Sequence, residues 1–195
     1  YSTQNVITWN NCSNNYIGIL LYEFNCNNTV INNRLFSNSN GIVIDHSYNN
    51  VVSHNMIYSN GGNAIWLEDS SKDNILVSND LFHNFRGFIL DDSICNIMAG
   101  NSISNNEYGI EFRESNENLI FHNNFNNNTL QIFDLWWLYP FRLLPSLNTW
   151  DDGYPSGGNY WSDYVGVDVN SGPNQNLPGS DGLGDTPYII DANNR

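Results

Sequence analysis

The chain has 195 residues, 40% hydrophobic and 14% aromatic, which is enough apolar material for a packed core and too much for a disordered segment. Six basic residues against twenty acidic ones leave a net charge of −14, which repels phosphate backbones and anionic membrane surfaces and excludes nucleic acid as a partner. No apolar run reaches the ~18–20 residues that a membrane span needs, so no membrane span is expected. Tyr1 follows neither a Met nor a signal peptide, and the chain reads as a mature product or a fragment.

From the first residues onward the sequence repeats. Asn supplies 38 residues, far above its usual share, and eighteen of them fall into three columns. The first column is Asn5, Asn28, Asn50, Asn74, Asn96 and Asn118; the second is Asn10, Asn33, Asn55, Asn79, Asn101 and Asn123; the third is Asn15, Asn38, Asn60, Asn84, Asn106 and Asn128. Apolar residues keep the same step. Two positions after the first column stand Ile7, Val30, Val52, Leu76, Met98 and Ile120, and two after the second stand Cys12, Leu35, Ile57, Leu81, Ile103 and Phe125. Beyond the third column the chain reads Gly-Ile-x-Leu or a variant, as at Gly18–Leu21, Gly41–Ile44, Ala64–Leu67, Gly87–Leu90 and Gly109–Phe112.

Asn and Gly at this density oppose helices, and no period-3.6 stripe persists. Short strands between Asn or Gly corners, once every ~22 residues, predict an all-β fold: a parallel β-helix of about six coils over residues 1–128. Each coil adds ~4.8 Å, giving a rod of ~29 Å, and the crossover rule for parallel strands makes it right-handed. Asn suits the corners because it tolerates left-handed backbone angles and because stacked amides can bond from coil to coil. The three cysteines, Cys12, Cys26 and Cys95, lack CxxC spacing and read as buried free thiols with at most one bridge. Sequons stand at Asn11, Asn27 and Asn127; the last two lie at repeat corners, where a glycan meets nothing inside, whereas Asn11 flanks the inward Cys12.

Residues 129–195 read as an irregular C-terminal cap carrying an apolar insert at 135–147, a run that is costly in water. Trp150, Tyr160, Trp161 and Tyr164 have the bulk to close the last coil. The first coil, by contrast, has no helix or aromatic cluster before Asn5, so that end is expected to be covered by another chain or by upstream coils.

The Asn-x-Ile and Gly-Ile-x-Leu coils, followed by the tail motifs GGNYWSDY (157–164) and DGLGDTPY (181–188), resemble the NosD-type family of exported right-handed β-helix repeat proteins over nearly the whole chain. The coil pattern is shared with many carbohydrate-binding and sugar-hydrolase β-helices. The resemblance implies export, to the periplasm in a Gram-negative bacterium or otherwise to the cell surface. It also implies a link with copper delivery to nitrous oxide reductase.

Candidate chemistry lies at a few positions. Tyr22, Asp45, Glu68, Asp91 and Arg113 form one column and Glu23, His46, Asp69, Asp92 and Glu114 the next, so like carboxylates stack at ~4.8 Å. A hydrolase or lyase reading takes Asp69, Asp91 and Asp92 as paired carboxylates; the Gly-His-Gly and Arg-x-Lys elements of pectin-hydrolysing β-helices are missing from the sequence. Copper would need converging His, Cys or Met, yet His54 and His122 lie three coils or ~14 Å apart, and His46 and His83 occupy other columns. In the tail, Asp163, Asp168, Asn170, Asp181 and Asp185 supply the hard oxygen ligands that calcium prefers; no organic cofactor is expected.

Alternation places Leu20, Val43, Trp66, Ile89 and Glu111 outward, with Val6, Thr29, Val51, Ile75, Ile97 and Leu119 on another face. Such stripes suggest contact with another chain through Leu20, Val43, Trp66, Ile89, Trp136 and Trp137, and stacking of a polysaccharide on Trp66. The leading expectation is an exported, non-enzymatic structural or adhesive surface module that self-associates, or joins another surface protein, and binds glycans. A polysaccharide-active enzyme and a periplasmic metal-delivery accessory protein are the alternatives.

Overall fold

The computed structural model describes residues 2–191 and Asn194, and shows a parallel β-solenoid of six coils. Three parallel sheets run along it. The first stacks Val6–Thr8, Thr29–Ile31, Val51–Ser53, Ile75–Val77, Ile97–Ala99 and Leu119–Phe121; the second stacks Asn11–Ser13, Arg34–Phe36, Met56–Tyr58, Asp80–Phe82, Ser102–Ser104 and Asn124–Asn126. The third, the long-strand sheet, stacks Ile17–Tyr22, Asn40–Asp45, Asn63–Glu68, Arg86–Asp91, Tyr108–Arg113 and Leu130–Asp134. Among the described residues the one helical element is a 3-10 turn, Leu135–Trp137.

Register follows the repeat: Ile7, Val30, Val52, Leu76, Met98 and Ile120 lie in one column, and all but Ile7 are fully buried. Stacking identical inward positions lets each coil bury apolar area against two neighbours, so stability is close to a sum over coil interfaces. The Gly column reflects close approach rather than turn geometry. A Cβ at Gly109 would stand 2.3 Å from the carbonyl oxygen of Gln131 and 3.1 Å from the Phe125 ring.

The asparagine columns form continuous amide ladders. Asn79 is typical: its Oδ1 accepts from the backbone N–H and the side-chain amide of Asn55, and its own amide donates to Val52 O and to Asn101 Oδ1. The expected left-handed angles, however, do not belong to the ladder residues. Each ladder asparagine is preceded by a residue with positive φ, among them Trp9, Asn27, His54, Ser78, Cys95, Gly100 and Glu117. The preceding residue makes the corner, and the corner turns the asparagine side chain into the stack. A fourth column, of buried serines, runs through Ser47, Ser71, Ser93, Ser115 and Ser146; the hydroxyl oxygens of Ser71, Ser115 and Ser146 accept from the backbone N–H of the preceding rung.

Beyond Asn128 the ladders continue into the tail. Asn148 and Asn159 take the next rungs above Asn118 and Asn123, Tyr160–Trp161 adds a strand to the second sheet, and Ser162 accepts from Asn127 N. Trp161 stacks on Phe125 at 4.4 Å with Tyr188 stacked on it at 4.2 Å, and Trp150 packs edge-on to Phe112, so aromatic rings close that end of the core. At the other end Ile7 and Cys12 are half-buried. The three cysteines are free and half-buried rather than buried. No helix is long and apolar enough to cross a membrane among the described residues.

Candidate functional site

Each coil's interior is occupied by core and ladder, so chemistry is left to the outer faces. The long-strand sheet is the face where ionisable groups collect. Its outer columns are Tyr22, Asp45, Glu68, Asp91 and Arg113, then Leu20, Val43, Trp66, Ile89, Glu111 and Phe133. Adjacent carboxylates here cannot all keep full charge cheaply. Burial, reinforced by the charges of Asp45, Asp69 and Asp91, pushes the Glu68 carboxyl up to about 7. Asp45 and Asp91 are also raised, first by burial; Asp69 adds to both, while Arg113 pulls Asp91 back.

Glu111 anchors the positive side of the face. It is 2% exposed and bridges two guanidiniums: Arg113 Nε donates to Glu111 Oε1 at 2.8 Å, and Arg86 Nε donates to Glu111 Oε2. Arg113 Nη1 also reaches Asp91 at 3.2 Å, and Arg86 Nη1 reaches Asn63 Oδ1 at 3.3 Å. Burial disfavours the charge on Arg113, but its bonds to Glu111 and Asp91 outweigh that and raise its pKa further. Beside this network runs an aromatic strip. Phe85 and Tyr108 meet edge-to-face at 5.4 Å, Tyr108 and Phe133 lie at 5.1 Å, and Phe133 and Trp137 at 5.8 Å. The Arg86 guanidinium sits 4.6 Å above the Phe85 ring and 5.7 Å from that of Tyr108. Trp66, at the centre of the face, is half-buried with its Nε1 enclosed and lacking a hydrogen-bond partner.

Several sequence-derived candidates are placed elsewhere. Asp69 and Asp92 are exposed corner residues with positive φ, and Asp92 accepts from the Ser70 hydroxyl at 3.1 Å. Of the Asp69, Asp91 and Asp92 set, Asp91 alone stands on the sheet face. Val43 and Ile89 are each 1% exposed and are not contact residues. Trp66 stands between them, and the Arg86–Glu111–Arg113 bridge spans the next rung, so larger neighbours at ~4.8 Å close over the smaller side chains. Leu20 is exposed as expected, and Trp136 and Trp137 are half-buried. Asn11, Asn27 and Asn127 are all exposed; the Asn127 amide donates to Asn105 Oδ1 at 2.7 Å.

The tail acids do not gather. Asp168 accepts from Ser180 Oγ and from the backbone of Asp181 and Gly182. Asp181 accepts from Gly172 N and Gln175, Asp185 from Val169 N and Asn170, and Asp163 from Tyr188 and Gln131. The Ser180 bond holds Asp168 below the usual carboxylate range. Among the described residues no group of three or more His, Cys, Asp or Glu side chains could hold a metal ion.

Fold and site together define a parallel β-solenoid whose charged and aromatic groups collect on the long-strand face. A family model described as "Periplasmic copper-binding protein (NosD)" matches residues 1–166, and the chain belongs to that family. No curated protein matches. Among solved structures, a double mutant of the periplasmic alginate epimerase AlgG aligns with a TM-score of 0.62 at 19% identity, over 77% of this chain and 42% of that one, which shows a shared fold. The chain therefore spans less than half of that structure's length.

Among the described residues the copper in the family's description finds no fitting donor set. His122 bonds with Ser156, His46 packs on Phe24 and His83 on Phe82. His54 and Met56 line a shallow groove with Trp9 and Arg34, two soft donors without a third.

Proposed function

We propose that this NosD-family solenoid is an exported, non-catalytic surface module that binds polysaccharide along its long-strand face. The observation that carries the reading is an aromatic strip, Tyr108 and Phe133 on the long-strand sheet flanked by Phe85 and Trp137 at its margin, beside a bonded set of donors and acceptors, Arg86, Glu111, Arg113 and Asp91, with the Glu68 carboxyl in the same outer column. Sugar rings offer apolar faces and hydroxyl edges, and a flat sheet with rungs every ~4.8 Å presents rings and polar groups in matching rows. Export is supported by the periplasmic location of the family's described member and of the aligned epimerase. Retention of the chain on a panel of neutral and acidic polysaccharides tests it. Tyr108→Ala and Arg113→Ala should each weaken retention about tenfold or more while leaving the circular dichroism spectrum intact. Retention on none of the panel, or retention indifferent to both changes, refutes the reading.

A polysaccharide lyase or hydrolase is the competing reading, and Glu68 is the observation that favours it: a carboxyl titrating near 7 can give or take a proton at neutral pH. Product formation from the retained polysaccharide, abolished in Glu68→Gln, would establish catalysis in place of binding alone.

A further inference from the structure

The insert at 135–147 is ordered at its base and bare at its tip. Asp134, buried at the end of the last long strand, accepts from Trp136 N at 3.0 Å and from Ser146 N at 2.8 Å, tying both ends of the insert to one carboxylate. Leu147 N donates to Asn116 Oδ1 at 2.7 Å, Leu144 N to Glu114 Oε1 at 3.3 Å, and Trp137 Nε1 to Asp191 Oδ2 at 3.4 Å. Between these ties the backbone closes on itself, with Arg142 N and Leu143 N both donating to Tyr139 O. The tip so held points its apolar side chains at water: Leu138 is 61% exposed, Leu144 71% and Phe141 fully exposed.

We propose that residues 138–144 are a membrane-docking tip that seats the solenoid on a lipid surface without crossing it. The shape favours lipid. A fully exposed phenyl ring on a convex turn needs a matching concavity in a protein partner, whereas an acyl layer accepts it as it stands. The chemistry favours lipid as well, because Trp136 and Trp137 at the foot of the tip and Tyr139 within it are of the side-chain types that settle at headgroup depth. Charge gives the third argument. In a chain with twenty acidic residues, 135–147 contains none, and it carries Arg142, exposed at the tip and complementary to headgroup phosphates. The acids at its base, Asp134, Glu114 and Asp191, each accept a hydrogen bond from an N–H of the insert itself. The rest of the chain, at −14 overall, disfavours a strongly anionic surface, so the expected surface is one of low net charge.

Flotation of the whole chain with phosphatidylcholine vesicles tests this, with light scattering on the same samples. Wild type should float with the vesicles. Phe141→Asp/Leu144→Asp should lower the floated fraction at least about tenfold, as expected when two apolar side chains are withdrawn from lipid. Its melting temperature should be unchanged, because both positions are already in water. Wild type that stays at the bottom of the gradient overturns the proposal, as does a variant that floats equally well. A concentration-dependent dimer that the double variant loses, with no flotation of either, would assign the tip to a second copy of the chain and overturn it too.

Discussion

Replacing Asn79 by Ala removes one amide from the middle of a buried ladder, and the consequence can be followed bond by bond. The backbone N–H of Asn55 loses its Oδ1 acceptor and is left buried without a partner, which costs about 1–3 kcal/mol. The Asn55 side-chain amide survives on Val30 O and Ser53 O. Val52 O and Asn101 Oδ1 each lose one donor, at about 1 kcal/mol apiece. The expected loss is therefore about 3–5 kcal/mol, read from chemical denaturation at neutral pH and checked by the thermal midpoint. Exposed Asn124, on the outer side of its strand, is the control, and its alanine variant should move stability by no more than about 0.5 kcal/mol. A loss at Asn79 below about 1 kcal/mol, indistinguishable from the control, would show that hydration replaces the ladder and that the columns do not hold the coils together.

Glu68, with a folded pKa of about 7 against an ordinary value near 4.5, binds its proton more tightly in the folded state. Its contribution to stability is thus fully present below about 4.5 and is lost as pH rises through about 7; Asp45 and Asp91 act in the same direction. Melting temperature should fall across that window, and Glu68→Gln should flatten the fall. Ser78 has φ 55° at a corner where the next coil uses Gly100, so Ser78→Gly should stabilise by about 0.5–1 kcal/mol in a melting experiment. Trp161→Ala strips the ring that lies between Phe125 and Tyr188 and should cost about 3–5 kcal/mol, with hydrogen exchange rising first in the sixth coil.

The coils are legible because a solenoid makes every rung solve the same problem, so Asn79, Asn101 and Asn123 recur at the step that stacks them. The same logic fails where the step changes. Asn148 and Asn159 continue the ladders at separations of 30 and 36 residues, because the insert and the Gly-rich loop intervene, and no periodic search reaches them. The serine column keeps the step as far as Ser115 but uses a residue too common to stand out. Val43 and Ile89 show a different limit: alternation gives the direction of a side chain but not what lies over it, and larger neighbours on the adjacent rungs leave both buried. Glu68 does not stand out in the sequence, because adjacent acids such as Asp91 and Asp92 look like the pair. On a strand that ends at a corner, neighbours part, and the carboxylates that interact are one coil away.

The contrast between columns bears on where function lies. The inward column Ile19, Ile42, Ile65, Phe88, Ile110 and Ile132 hardly changes, whereas the outward one runs Leu20, Val43, Trp66, Ile89, Glu111 and Phe133 without repeating a residue. A position that serves stacking has no reason to vary at each rung. Nor does stability call for the Arg86–Glu111–Arg113 bridge, because desolvating a carboxylate at 2% exposure offsets most of what its ion pairs return. Well-packed apolar side chains of similar volume generally hold a fold as well or better. The triple variant Arg86→Met/Glu111→Leu/Arg113→Met should therefore keep or raise the melting temperature, with half-exposed Asp91 left to water, and should abolish polysaccharide retention. If the triple variant instead unfolds while each conservative Arg→Lys change retains both fold and binding, the bridge is a structural strut, and the long-strand face loses its claim to be the site.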